Sequence, residues 1–394
     1  MITTGDPRRI FKGIIKNPVS AERTDVYDPG YLFISGQEVE GLSREDPRAR
    51  MPSAQFLDLG NKIIVPGFVD THVHLPQFAI MGIGKGELLE WLRNDTFPEE
   101  ARFADSEYAG KISQQFFDSL VANGTTTAVI YCSVHEQATR IAFAAAQTKG
   151  VRAFIGKVMM DRNSPDFLLE QTSDSIAASQ RLFDEWDGAD NGRLRYVFTP
   201  RFAGSCSMEL MKRVGEMARE RRAFVQSHLS ENVDEIAWIR SLFPEYPSYA
   251  AVYDAAGILG ERSIMGHCIH LSADEISLLS RTRTKVAFCP YSNRTLHSGT
   301  MPYWKLRDAG LNIALATDVA GGPSLSMLDQ MEQAIDAARI PESEALYLAT
   351  LAGAKALGLG HQIGNFEPGK DADFVVLEGR TVQEVYVRGK VVYF

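Results

Sequence analysis

Eight histidines occur among 394 residues, and four of them stand where an apolar run gives way to polar residues. His72 and His74 close the stretch Pro66-Gly-Phe-Val-Asp-Thr-His-Val-His74. Residues i and i+2 of a strand share a face, so both imidazoles leave the end of that run together. His228 ends Val225-Gln-Ser-His228, His267 ends Ile264-Met-Gly-His267, and Asp318 ends Leu315-Ala-Thr-Asp318. Neutral imidazoles and a carboxylate suit a zinc site that keeps a position open for water. Ligand type alone leaves iron and manganese open. A bound dication lowers the pKa of its water from about 15.7 to about 7. Glu231 lies three residues past His228. It either moves protons beside that water or sits solvated in the first turn of the next helix.

Bringing these residues together requires strands that share a direction. Eight apolar runs are candidates: Ile63 to Val69, Thr126 to Tyr131, Val151 to Met159, Leu194 to Phe198, Ala223 to Gln226, Ser263 to Met265, Val286 to Phe288 and Ile313 to Leu315. They are short and apolar on both faces, as in a covered parallel sheet. Helical patterns separate them. Tyr108, Ile112, Phe116, Phe117 and Leu120 form one stripe, which Gly124 ends. Leu210, Met211, Val214 and Met217 form another between Ser207 and Glu220. Ser272-Ala-Asp-Glu275 reads as a capping box, and Ser164-Pro165 as an N-cap followed by proline at the first helical position. The alternation predicts an α/β fold, a (β/α)8 TIM-like barrel over 62–360 with its site at the C-terminal strand ends. A doubly wound open sheet is the alternative.

The chain ends differ from this pattern. Residues 1–61 hold strand-like pieces, Tyr31 to Ser35 and Gln55 to Leu59, and a polar loop from Gly41 to Ser53. Residues 361–394 hold Phe374-Val-Val-Leu377 and a hairpin turning at Arg388-Gly389-Lys390. Neither end has enough apolar surface to fold alone. Together they are expected to form one small β-sandwich domain beside the barrel.

Composition narrows the class. Hydrophobic residues make up 45% and charged residues 23%, as in soluble globular proteins. A chain of this size buries about 75% of its unfolded surface, so it needs no disulfide staple. A net charge of −9 disfavours a nucleic-acid partner. The pairs Arg8-Arg9 and Arg221-Arg222 read as solvated surface. No apolar run is long enough to span a membrane, and residues 1–10 lack the apolar region of a secretory signal. The four cysteines are scattered without a C-x-x-C, which predicts buried thiols in a reducing cytoplasm.

Longer motifs make the reading more specific. Besides the histidine stretch with Gln77, the chain contains Leu88-Leu-Glu-Trp-Leu92 with Thr96-Phe-Pro98, Asn123-Gly-Thr-Thr-Thr127 and Thr199-Pro-Arg-Phe202. Gln226-Ser-His-Leu-Ser-Glu-Asn232, Cys289-Pro290 with Ser292-Asn293, Thr317-Asp-Val-Ala-Gly-Gly322 with Ser326-Met-Leu328, and Pro368-Gly-Lys-Asp-Ala-Asp373 follow. In this order, over nearly the whole chain, they resemble the amidohydrolase superfamily and, within it, the guanine deaminases. The resemblance implies hydrolysis of guanine to xanthine and ammonia, a reaction on the C–N bond of a cyclic amidine. It implies one zinc per chain, Zn2+, held by His72, His74, His228 and Asp318. His267 would orient the attacking water, Glu231 would carry its proton, and Asp318 would assist as a base. Gln77, Arg201 and Phe202 would hold the purine, with His74, His228, Glu231 and Asp318 also facing it. A cytoplasmic homodimer is implied as well.

Arg201 offers a planar fork of donors suited to the acceptor at purine O6. Adenine presents a donor there, a mismatch that such sites reject by about 10⁴ or more. The alternative is a structural salt bridge for Arg201 and a core position for Phe202. The bridging lysine of binuclear relatives is absent after the fourth strand, where Thr199-Pro-Arg201 stands. Arg294 and His297 depart from the small or apolar residues usual in that loop. They either point outward or cap a helix, or they turn inward and shift preference toward a related amino-purine or pterin such as 8-oxoguanine. A non-catalytic scaffold would lack a ligand or the acid/base residue, and none is missing.

Overall fold

The computed structural model describes residues 8–83 and 88–394. The leader expectation concerns residues 1–10, of which 1–7 lie outside the described residues. The chain opens with β1 (Arg9–Ser20), β2 (Arg23–Ser35), β3 (Glu38–Ser43) and β4 (Gln55–Pro66). The barrel strands follow: β5 (Phe68–His74), β6 (Thr125–Tyr131), β7 (Arg152–Gly156), the short β8 (Val158–Met159), β9 (Leu194–Pro200), β10 (Phe224–Leu229), β11 (Ser263–His267), β12 (Lys285–Phe288) and β13 (Ile313–Leu315). The chain then returns with β14 (Phe374–Glu378), β15 (Thr381–Val387) and β16 (Lys390–Tyr393).

The barrel order is β5-β6-β7-β9-β10-β11-β12-β13, all parallel, with β8 beside β9. Spatial order follows chain order, so the doubly wound alternative does not hold. Closure is local and polar. Asp318 N donates to His72 O at 2.9 Å, and His74 N donates to Val319 O at 3.1 Å. Asp70 accepts from Thr317 N at 3.1 Å and from the Thr317 hydroxyl. Burial pushes the Asp70 carboxyl up to about 7 against these bonds. Inside the barrel, one apolar layer takes Val69, Val129, Phe154, Val197, Phe224, Ile264 and Ala287 from successive strands and Ala316 from just past β13. Side chains fill the interior, so the site must sit at a rim.

Both chain ends build one seven-stranded sheet of order β16-β15-β14-β4-β1-β2-β3. Its pairs are antiparallel except the parallel pair β1–β4. β4 continues past residue 61 because Ile63, Ile64, Val65 and Pro66 pair with Leu377, Val376, Val375 and Phe374. β1 carries no clean alternation of residue type, since Gly13 and Asn17 share its buried positions with Phe11 and Ile15. The hairpin turn stands where expected, with Arg388 and Gly389 at φ 49° and 71°, the left-handed pair that a tight hairpin requires.

Two local expectations change. The apolar run 63–69 is the end of one strand and the start of another. Gly67 divides them, and a Cβ there would lie 2.2 Å from Thr126 Oγ1. His72 and His74 therefore lie within β5. Ser164-Pro165 opens only the three-residue turn Asp166–Leu168, and the long helix starts at Thr172. Ser164 Oγ contacts Met160 Sδ and Arg162 O instead of capping a helix. The other caps stand as read: Ser207 accepts from Leu210 N, Ser272 and Glu275 form the capping box, and Gly124 follows the helix Ser106–Ala122 at φ 84°. All four cysteines are buried and unpaired. Among the described residues, no helix is long and apolar enough to cross a membrane.

A buried ion pair pins the sheet to the barrel floor. Arg152 Nη2 lies 2.6 Å from Asp371 Oδ2 and 3.9 Å from Asp373 Oδ2. Arg152→Ala would remove the nearer of the two cations facing Asp371, leaving Arg388 Nε at 3.6 Å, and would take from Asp373 its side-chain ion-pair partner among the described residues. A loss of about 3–5 kcal/mol is expected, read as a lowered urea midpoint. A change below about 1 kcal/mol would show that the pin contributes no more than a surface pair.

Candidate active site

The C-terminal strand ends bring every expected residue to one rim. His74 Nε2 lies 3.3 Å from His72 Nε2 and 3.2 Å from His228 Nε2. Asp318 Oδ1 lies 3.3 Å from His72 Nε2 and 3.4 Å from His74 Nε2. Neighbouring donors on one zinc at about 2.0–2.1 Å stand about 3 Å apart, so these spacings fit such an ion, with water as a fifth ligand. His72, His228, His267 and Asp318 also present donor atoms within 4.8 Å of one another. His267 Nε2 sits 3.9 Å from Asp318 Oδ2 and 3.4 Å from Glu231 Oε2, with no hydrogen-bond partner among the described residues.

The surroundings prepare these donors. His228 Nδ1 faces Arg201 O at 2.7 Å and must carry the hydrogen, which leaves Nε2 with a free lone pair. His267 Nδ1 likewise faces Asn293 Oδ1 at 3.0 Å. Burial lowers the imidazolium pKa of all three neighbouring histidines: His72 to about 4, His74 in the same direction, and His228 well below its ordinary value. They are therefore neutral, as ligands must be. Burial opposes the charge on Asp318, yet hydrogen bonds from His72 and His74 outweigh it and hold the carboxyl well below its usual range. Ser292 Oγ donates to Asp318 Oδ2 at 2.5 Å. Burial pushes Glu231 up to about 7, and Ser298 Oγ donates to its Oε1 at 3.1 Å. His267 and Asp318 adopt φ of 69° and 48°. Non-glycine residues pay for this left-handed conformation, and such strain gathers where side chains must be aimed.

A partly enclosed cavity opens above the cluster. His74, Gln77, Arg201, Phe202, His228, Glu231, His267 and Asp318 line it, while His72 lies behind them, fully buried. Leu88, Leu89, Trp91, Leu92 and Leu296 add apolar walls suited to a flat ring. Phe202 packs on Trp238 at 5.8 Å between ring centroids. Both expectations for Arg201 meet here, because it faces the cavity and also forms a buried ion pair. Its Nη1 donates to both oxygens of Glu100, at 2.8 and 2.6 Å. Gln77 Nε2 donates to Glu100 Oε1 at 3.0 Å, and Gln77 Oε1 accepts from Ala320 N at 3.1 Å.

The sequence reading missed Glu100 and Ser298. Glu100 follows the Thr96-Phe-Pro98 motif and looks like one more acidic residue in a helical turn. Its only signal is a lone buried arginine that needs a counter-charge. Arg294 and His297 are exposed and line a separate groove with Asp336, and the Arg294 guanidinium stands 5.0 Å from the Tyr291 ring centroid. The outward alternative holds, because the turn after β12 sends Ser292, Asn293 and Leu296 inward instead.

Comparison with known proteins agrees with this geometry. The model of the amidohydrolase family matches residues 63–392. Guanine deaminase of Escherichia coli strain K12 is 42% identical over 359 residues, spanning 89% of this chain and 81% of that one. The human guanine deaminase is 37% identical over 331 residues, 80% of this chain and 73% of that one. A crystal structure of guanine deaminase from C. acetobutylicum with guanine bound in its active site superposes with a TM-score of 0.94 at 32% identity, covering 98% of this chain and 100% of that one. The chain belongs to the amidohydrolase family, among its guanine deaminases.

Proposed function

We propose that the protein hydrolyses guanine to xanthine and ammonia with one zinc ion per chain. The observation that carries this reading is a single cavity in which the Arg201 donor fork and an apolar slot meet the histidine–aspartate cluster. His72, His74, His228 and Asp318 would hold the ion, which would supply an acidified water. His267, with Nε2 facing Glu231 and Asp318, is placed to orient a water toward C2 of the purine. Glu231 takes a proton from the water and passes it to the ring and then to the departing amine. A carboxyl pushed up to about 7 can accept and return a proton at neutral pH. Asp318 assists as a base. Gln77 and Arg201 fix the polar edge of the ring, with Arg201 toward O6, and Phe202 packs against its face. One C–N bond breaks, one C–O bond forms, and water and guanine leave as ammonia and xanthine.

A barrel domain over 62–360, a satellite domain from 1–61 and 361–394, a homodimer and a cytoplasmic location belong to the same proposal. They are supported by the family resemblance and, for the satellite, by the β4–β14 pairing. A preference for 8-oxoguanine or a pterin drew on Arg294 and His297, and neither lines the cavity. The test is release of ammonia and xanthine from guanine by zinc-loaded protein. Adenine should turn over about 10⁴-fold less efficiently. No ammonia from guanine, or equal rates on both purines, would overturn the reading.

A further inference from the structure

Arg201 is 2% exposed and Glu100 fully buried, so the pair is shielded from bulk water. Both carboxylate oxygens meet a single guanidinium nitrogen, Nη1. Among the described residues, Nη1 makes every side-chain hydrogen bond of Arg201, which leaves Nε and Nη2 for a ligand. Glu100 does not line the cavity itself. It touches Arg201 and Gln77, and it acts on a ligand through them.

Geometry alone does not require a carboxylate behind Arg201, because one carbonyl acceptor would hold Nη1. The carboxylate adds charge cancellation. Resting on the guanine reading above, we infer that Glu100 sets the charge of the purine subsite, making it select neutral purines and release the anionic product. Guanine is neutral at neutral pH. Xanthine gains a second carbonyl and ionises more readily. A lone buried guanidinium would attract that anion strongly, because charges interact far more in a dry site than in water. The Glu100–Arg201 pair offers the same donors without net charge. The other ionisable groups on the cavity wall are His74, His228, Glu231, Glu235, His267 and Asp318. They are present in both proteins, and of them His74 feels the Glu100 charge directly, so wild type and variant are compared at the same pH and a neutral ligand reports any effect that does not act on the anion.

The experiment is calorimetric binding of xanthine and of hypoxanthine to zinc-loaded wild type and Glu100→Gln. It is run below and above the first ionisation of xanthine. Above it, the variant should bind xanthine about tenfold tighter or more, while hypoxanthine, still neutral, changes by less than about twofold. With guanine, kcat and KM should fall together as the product leaves more slowly. Equal changes for both ligands would show that Glu100 only props Arg201 in place, and would overturn the proposal. Should the variant fail to fold, the wild type still decides. Its affinity for xanthine must not rise as xanthine ionises, and a rise would also overturn the proposal. Absence of ammonia from guanine in the wild type would instead sink the guanine reading, while the ionisation comparison would still test the charge.

Discussion

Glu231→Gln is expected to lower kcat on guanine by about 10³-fold or more while zinc content stays at the wild-type level. General acid–base groups contribute about 10²–10⁴, and this residue is asked to act twice in one cycle. The substitution keeps the size of the side chain and its bond from Ser298 Oγ, which reaches Oε1 at 3.1 Å. It removes the acidic proton. Glu231 is not among the residues proposed to hold the ion, so metal analysis should not move. Turnover within about tenfold of wild type would remove Glu231 from the mechanism. Loss of zinc together with activity would make it a ligand instead.

His228→Ala is expected to abolish both metal retention and deamination. It deletes the Nε2 that stands 3.2 Å from His74 Nε2. It also deletes the Nδ1 contact to Arg201 O, which couples the metal side of the cavity to its purine side. Changing even a partner behind a metal ligand costs about 10–100-fold in affinity, and removing a ligand should cost more. Dialysed variant assayed for zinc should retain a small fraction of the wild-type content, and guanine turnover should fall to that of chelator-treated wild type. A variant that keeps its zinc and more than a tenth of its activity would dismiss His228 as a ligand.

Much of this site could be read from the chain because the barrel turns a local signal into a spatial one. Each ligand-type residue closes an apolar run, and parallel strands deliver all such ends to one rim. His228, His267 and Asp318 needed no further information. Glu100 was hidden because its partner, Arg201, sits 101 residues away in the chain, and no local pattern marks a buried acid. Arg294 and His297 drew attention by size, whereas direction decided their role. The helical turn Pro290–Thr295 points 292 and 293 inward and 294 outward, with Leu296 next to face the cavity. β1 escaped notice because its buried positions Phe11, Gly13, Ile15 and Asn17 include a glycine and a polar residue, while the apolar Ile14 lies between them. Its pairing register with β2 also shifts between Gly13 and Ile15, an irregularity that leaves no mark in the local sequence.

The pairing of Phe374–Leu377 with Ile63–Pro66 has a consequence for biosynthesis. On the ribosome, Gln55–Pro66 can zip onto β1 early, but its opposite edge stays bare until some three hundred further residues have been polymerised. Long-range pairing of this kind forms late, and an unprotected edge invites adhesion between nascent chains. A premature stop before Phe374 would thus yield a sticky product even with every residue of the metal cluster already translated.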